Sequence, residues 1–436
     1  VIKAVQNAFK IPELRKRIIF TALLLIVYRL GAHITLPGID DIALEAFFQQ
    51  LMERGGNVIG FIDLFSGGAF SQMTIFALGI QPYISASIIM QLLAVIVPSL
   101  EKLSKEPDGR KKITQYTRYG TVILSIIQGT TISIVLRNPE NITGQVDEIV
   151  RNPDLWWHFL VVITLTAGTS FVMWLGEQIT ERGIGQGISL IITVGIVAGL
   201  PGGVTSVFSN LVTRPEFGIL QLALLVALIV VAVMGIRKIP VQYGRQIRGR
   251  RVIGGQSTHL PLRVNAAGMI PIIFAVTLIQ FPPTVLGFLP RDWGWVTGVE
   301  ALIAPGAPLY LTVYALLIIG FTYFYTAVQI NPIQMAEDLQ KYGGFIPGIR
   351  AGKQTADYIN TTLTRITLPG AVFLAAIAVI PIIITSQLNV GNMVEGASIL
   401  IVVGVVLDTM SQIESYLTVR HYEGFLKDRK LRGRRR

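Results

Sequence analysis

Between Phe61 and Val97 a hydrophobic segment starts twice, and this false start constrains the fold more than any other feature of the chain. The first run, Phe61-Ile62-Asp63-Leu64-Phe65, stops at once at Ser66-Gly67-Gly68. Paired glycines lose much backbone freedom in a helix and enter φ > 0 easily, so a short half-helix is expected to break there. The second run resumes with Ile75-Phe76-Ala77-Leu78 and stays apolar to Val97, long enough to cross the ~30 Å hydrocarbon core of a bilayer. Backbone groups freed by a broken helix find no partners in lipid, so such a segment must sit inside protein or line a wet cavity. The expectation is a small movable element in a funnel of spanning helices.

Composition places the whole chain in the membrane. Of its 436 residues 51% are apolar and 14% charged, where a soluble domain carries about one quarter charged residues. Spans are expected at 18–36, 74–97, 119–136, 156–176 and 184–200, then at 217–236, 265–289, 309–329, 368–386 and 397–417. Ten crossings put both termini on one side. Of the 37 Lys and Arg, Arg29 lies within the first span, and only Arg54, Arg137, Arg151, Arg214 and Arg291 fall in loops opposite the termini. The positive-inside rule therefore makes the termini cytoplasmic. Because the basic charge alternates with the spans, topology explains most of the net +11, and a nucleic-acid-binding domain does not. The basic N-terminal stretch, Lys3 to Arg17, lacks a following small-residue cleavage site and is read as a cytoplasmic helix entering the first span. A sequence opening on Val1 is expected to lack its initiator methionine.

The spans divide into two halves of five, residues 1–205 and 206–436, the second carrying large cytoplasmic loops at 237–264 and 330–367 and a basic tail. In each half the second span holds Gly-x-x-Pro, from Gly79 to Pro82 and from Gly268 to Pro271, with Ile84 or Ile273 two residues on. Since five is odd, such a repeat is inverted, and inverted repeats place their working site at the interface between halves, near the bilayer midplane.

Several function classes are excluded or weakened. There is no cysteine, so disulfides and thiolate metal sites are absent. No G-x-x-x-x-G-K-[ST] loop occurs, so any nucleotide hydrolysis must come from a partner. His33, His158, His259 and His421 lack ligand spacing, and neither H-E-x-x-H nor a nucleophile elbow is present. Catalytic residues, metals and cofactors are thus not expected. Ion-coupled transport is the serious competitor, but carriers commonly place ionisable groups mid-span. Here Arg29 is the main such group, with Glu177, Asp408 and Glu414 at or near span ends. A purely structural scaffold would not need the glycine-broken segment.

Five stretches carry a family resemblance. They are Asp63 to Gly68, Phe76 to Ser87, Glu181-Arg182-Gly183-Ile184-Gly185, Gln256-Ser257-Thr258-His259-Leu260-Pro261 and Tyr342 to Arg350. Together they closely resemble the SecY family, the channel subunits of the bacterial protein translocon. The resemblance covers nearly the whole chain. It implies an all-α polytopic membrane protein, with ten transmembrane helices in two inverted halves around an hourglass pore. The function implied is a protein-conducting channel that passes unfolded secretory polypeptides across the bacterial plasma membrane. A lateral gate between spans 2/3 and 7/8 would release transmembrane segments into lipid. Implied partners are SecE, SecG, the motor ATPase SecA, the ribosome, signal sequences and nascent chains, and membrane lipids.

Carried over by motif, the plug falls at about 63–73, including Asp63, Leu64, Phe65, Ser66, Gly67, Gly68 and Phe70. The pore ring falls on Ile80, Ile84, Ile184, Ile188, Ile273 and Ile401. Taken singly each is an ordinary apolar residue of a membrane helix; the paired positions of Ile84 and Ile273, with the resemblance, favour the ring. A ring of branched aliphatic side chains coordinates no ion and can dewet when empty, yet yields to a polypeptide of any sequence. Ser85, Gln128, Asn265 and Phe281 fall at the lateral gate. The three polar ones read equally as contacts between packed helices, worth ~0.6 kcal/mol each, and a gate that opens would use contacts that weak. The loop 237–263 holds seven basic residues and no acidic one, with Arg248-Gly249-Arg250-Arg251 near its tip. Topology accounts for the sign, whereas bidentate Arg contacts suit phosphate and carboxylate partners. The resemblance adds Arg350 and Tyr422 to this docking set. The last arginines of the tail read better as a solvated, lipid-attracted end.

Overall fold

The computed structural model describes residues 9, 11–53, 63, 66–106, 108–137, 149–150, 154–199, 236–243, 246–248, 251–253, 257–263, 270–286, 295, 298–299, 302–304, 307–341, 343–388, 398 and 401–417. The chain forms two compact units, one of residues 1–206 with 401–436 and the other of residues 207–400. Division by packing and division by repeat therefore part at the helix 401–417.

In the first unit, α1 (Pro12–Gly31) starts on a proline, whose missing N–H costs nothing in a first turn. Helix α2 (Asp41–Glu53) is capped by the Asp40 carboxylate, which accepts from the backbone N–H of Ile42 at 3.1 Å and of Ala43 at 3.4 Å. Helices α3 (Gln81–Ile96) and α4 (Pro98–Lys105) meet at 106°. The cause is Pro98, which cannot donate to the helix before it and holds Val97 extended at φ −94°, ψ 112°. Helices α5 (Gly109–Arg137), α6 (Leu155–Arg182) and α7 (Gly187–Gly199) follow. Helix α5 packs on α3 and α6, and α6 also packs on α1.

Among the described residues four stretches are long and apolar enough to cross a bilayer: Lys111–Arg137, Leu155–Arg182, Pro308–Lys341 and Lys353–Ile380. The bent α3–α4 pair passes the same test when taken together. The second span begins later than the sequence pattern implies. Residues 67–80 run as successive turns with one bridge, and the helix starts only at Gln81, because Gly79 sits at φ +54° and Pro82 occupies the first turn. The span expected at 217–236 lies outside the described residues up to 235, and Ile236 opens a strand.

The second unit contains α8 (Ile270–Leu286), α9 (Pro308–Gln329), α10 (Pro332–Lys341) and α11 (Lys353–Leu388). Phe274 of α8 meets Phe321 and Tyr325 of α9 edge to face, at 5.7 and 6.2 Å. Among the described residues five short strands, absent from an all-helical reading, lie in the two long loops. Strand β1 (Ile236–Tyr243) pairs antiparallel with β4 (Ser257–Arg263), from Ile236↔Arg263 to Gln242↔Ser257. Strands β2 (Gln246–Arg248) and β3 (Arg251–Ile253) pair between them. The end of β1 also pairs with β5 (Gly344–Phe345), so both loops join one sheet. Within 236–263 β-branched residues are interspersed with basic ones between glycines, which is compatible with short strands.

Glycines set the closest helix approaches. A Cβ at Gly187 would strike the Gly176 carbonyl oxygen of α6, and one at Gly176 would stand 3.2 Å from Ile188 Cγ1. Gly187→Val is expected to force α7 off α6 and destabilise the protein by about 1–3 kcal/mol. Thermal unfolding of the purified protein in detergent would show this as a lowered midpoint, with Gly298→Ala, which meets nothing within 4 Å, as the neutral control.

Candidate functional site

The glycine pair that opened the sequence reading is a true break. Gly67 and Gly68 lie at φ +70° and +84°, in the region that L side chains avoid. Around them the chain ties itself into a small knot. Ser66 Oγ donates to the Asp63 carbonyl at 2.9 Å and accepts from the Phe70 N–H at 3.0 Å. Gly68 N–H donates to the Asp63 carbonyl at 2.9 Å, and the Asp63 carboxylate accepts from Ser71 N–H at 2.7 Å.

The knot and the turns after it are held from three sides. Along α1 and its exit, Ile75 N–H donates to the Ile34 carbonyl and Leu36 N–H to that of Met73, both at 2.9 Å, with an isolated bridge Thr35↔Thr74. Met73 takes φ +40° to offer that carbonyl, a strained position for a residue other than glycine. Tyr28 Oη donates to the Ser66 carbonyl at 3.1 Å, and Arg29 Nη1 donates to that of Gly67 at 2.6 Å. The Phe76 ring stacks on Tyr28 and on Phe171 of α6, with centroids 6.0 Å apart in each case. Gly31 leaves room for that ring, and Gly168 of α6 for the Ile75 carbonyl; a Cβ at either would collide. On the third side, a Cβ at Gly67 would come within 2.7 Å of Gly195 Cα in α7. An apolar cluster including Leu36, Phe47, Phe48, Met73, Leu78, Leu136, Ile149 and Trp157 packs alongside, with Phe70 against it.

The expected ring residues have different settings. Ile80 caps α3 at its N-terminus and Ile84 follows one turn on, both nearly buried at 4% and 7% exposure. Ile188 is half-buried on α7, and one turn on along the same helix is the buried Ile192, which the sequence reading passed over. Ile401 is fully buried in the helix 401–417. Ile184 lies before α7 in a cluster with Leu14 and Ile413, and its N–H donates to Thr21 Oγ1 at 3.0 Å. That turn is clamped further by Gln412, which accepts from Gly185 N–H, and by Arg17, which donates to the Gly183 carbonyl and lies over the Tyr416 ring. Ile184 therefore serves a helix junction. In the second unit Ile273 is buried on α8.

Ser85 on α3 and Gln128 on α5 are half-buried on neighbouring helices. Phe281 lies on α8, and Arg248 and Arg251 pair with each other at the end of β2–β3. Arg350 is exposed, five residues after β5. Leu64, Phe65, Asn265, Arg250 and Tyr422 lie outside the described residues. Glu177, at the end of an expected span, is ion-paired: Arg118 Nε and Nη2 reach its two oxygens at 2.9 and 2.8 Å, joining α5 to α6. Such a pair cross-links the two helices. The residues that sequence reasoning missed are Tyr28, Gly31, Gly168, Phe171 and Gly195. An arginine inside a span was the one available signal for the α1 contact.

The two glycines should differ when substituted. Gly67→Ala is expected to loosen the 63–75 segment by about 1–2 kcal/mol of backbone cost with added collision against Gly195. Gly68→Ala should cost only the first part, since nothing lies within 4 Å of its Cβ position. Amide exchange across 66–76 checks the order; equal protection in the two variants contradicts it.

Comparison with known proteins gives a consistent picture. The family model described as SecY matches residues 74–410. The chain is 45% identical to the protein translocase subunit SecY of Halalkalibacterium halodurans, over 98% of this chain and 100% of that protein. It is also 45% identical to the protein translocase subunit SecY of Escherichia coli K12, covering 97% and 96% of the two. Among solved structures it is similar to a protein-conducting channel, with TM-score 0.64 at 19% identity over 94% of this chain and 96% of the other. A SecY structure whose plug domain stabilises the closed translocation channel gives TM-score 0.65 at the same identity and coverage.

Proposed function

The chain belongs to the SecY family, and on that premise we propose that it is the channel subunit of a protein translocase, conducting unfolded secretory polypeptides across a membrane. The observation that carries this reading is the broken segment 66–76, held to α1 and its exit by the Tyr28 and Arg29 side chains and by main-chain hydrogen bonds of Met73 and Ile75, to α6 by the stacked Phe76 ring, and to α7 where Gly67 meets Gly195. A spanning bundle has no structural use for such an insert, whereas a channel that must be sealed when idle does. The segment at about 63–73 is the plug. It leaves the bundle when a chain enters, since what holds it is a handful of bonds of about 0.5–3 kcal/mol each.

The narrow ring is formed by Ile80, Ile84, Ile188, Ile273 and Ile401, with Ile192 as the further candidate from the Ile188 helix. Ile184 is left out, because its contacts lie with Leu14 and Ile413. The two halves of five spans are inverted repeats, and Ser85, Gln128, Asn265 and Phe281 line the lateral gate through which apolar segments pass into lipid. Their sorting follows the free energy of lipid solvation. The protein is a channel and not an enzyme; ATP or GTP hydrolysis is supplied by SecA and the ribosome cycle. Sec61 in a canine ribosome–channel complex is a structural neighbour at TM-score 0.59. Docking of ribosome and motor falls to Arg248, Arg250, Arg251, Arg350 and Tyr422. The sheet that unites the two long loops supports this, because it makes one platform of both. SecE and SecG complete the complex, the membrane is the bacterial inner membrane, and both termini are cytoplasmic, a reading that the distribution of Lys and Arg supports.

Photoreactive groups at Ile84 and Ile273 are expected to crosslink to a stalled secretory chain, and one at the surface residue Leu23 is not. Absence of adducts at both ring positions would remove the pore reading. Ile273→Asn and Phe281→Tyr are each expected to loosen the closed state and export proteins with defective signal sequences, as read by a secretion assay. Unchanged stringency in both counts against the ring and gate assignments.

A further inference from the structure

Arg29 stands in the last turn of α1, within the first expected span, where an ionised side chain is costly unless its donors are satisfied. Its Nη1 reaches the Gly67 carbonyl at 2.6 Å, and the preceding residue, Tyr28, gives its hydroxyl to the Ser66 carbonyl. Two consecutive residues of one helix thus hold two consecutive carbonyls of the glycine turn. The turn's geometry suits them, because the positive φ at Gly67 and its close approach to Gly195 admit no side chain at that position. Both acceptors are main-chain oxygens.

We propose that Arg29, with Tyr28, is the positioning residue that latches the plug in its seat. The proposal rests on the reading of residues 63–73 as a plug. A guanidinium bonded to a neutral carbonyl makes a charge-assisted bond stronger than a neutral one, without a second buried charge to strand when it breaks. The cation also lies at the C-terminal end of α1, where the helix dipole favours it whether or not the plug is present. Release of the plug therefore leaves Arg29 charged in a tolerable place, so the latch can open and close repeatedly. Because it grips backbone, its strength is independent of the plug's own side chains.

The test measures resting ion leak through the complete translocon in lipid vesicles, with and without residues 63–71. Arg29→Met is expected to raise the leak about tenfold, the factor that losing one charge-assisted bond of about 1.4 kcal/mol gives. Arg29→Lys should raise it less. Tyr28→Phe, which keeps the ring stacked on Phe76, should raise it by about two- to threefold. In the background lacking 63–71, none of these substitutions should add to the leak. If the deletion leaks and Arg29→Met alone does not, the latch is wrong and the plug reading stands. If the deletion itself does not leak, the plug reading falls and the latch with it. If Arg29→Met adds the same leak in both backgrounds, the residue acts on the bundle and the proposal is overturned. Should Arg29→Met fail to assemble, Tyr28→Phe in the same two backgrounds decides on the same terms.

Discussion

A bilayer offers no hydrogen bonds, and the rest of this structure follows from how the chain meets that condition at one place. Wherever a helix breaks at membrane depth, each freed N–H and C=O needs a partner inside the protein. The segment 63–80 supplies some itself, through the Asp63 carboxylate and the Ser66 hydroxyl, and takes the others from the end of α1. Helix α1 is thus more than a wall: its last turn and the strand-like residues after it are the counterpart of the broken segment. On the proposed reading of this segment as a plug, the combination is what a seal requires, a backbone satisfied in place yet bound by contacts few enough to give way.

Packing in lipid imposes a second condition. Helices surrounded by acyl chains gain little from burying more apolar surface, so close approach of small residues takes over. Gly31 and Gly168 accept the Phe76 ring and the Ile75 carbonyl, Gly67 meets Gly195, and Gly187 meets Gly176. These contacts bring the backbones of the broken segment and α7 close to their neighbours in the bundle. One charged pair, Arg118–Glu177, cross-links α5 and α6.

Outside the spans the demands reverse, and water permits strands. The β1–β4 ladder and its junction with β5 join the two long loops in one sheet within the second unit. Arginines near a hairpin tip are then carried on a scaffold of fixed register, which suits recognition of a large charged partner better than a free loop would.

The sequence by itself determined the membrane class, the spans that fall within Lys111–Arg137, Leu155–Arg182, Pro308–Lys341 and Lys353–Ile380, and the break at Gly67-Gly68, because hydrophobic runs and paired glycines act through local physics of transfer and backbone freedom. It did not determine where the second span begins, since Phe76 to Ile80 is as apolar as any helix and only Gly79, at positive φ, with Pro82 defers the start. Nor could it show that Ile184 belongs with Leu14 and Ile413 while Ile188, one turn later, packs on Gly176. The partners of Ser66 and Gly67 lie 38 residues away on α1. Such pairings are settled by which helices meet, and no local pattern of residues records that choice.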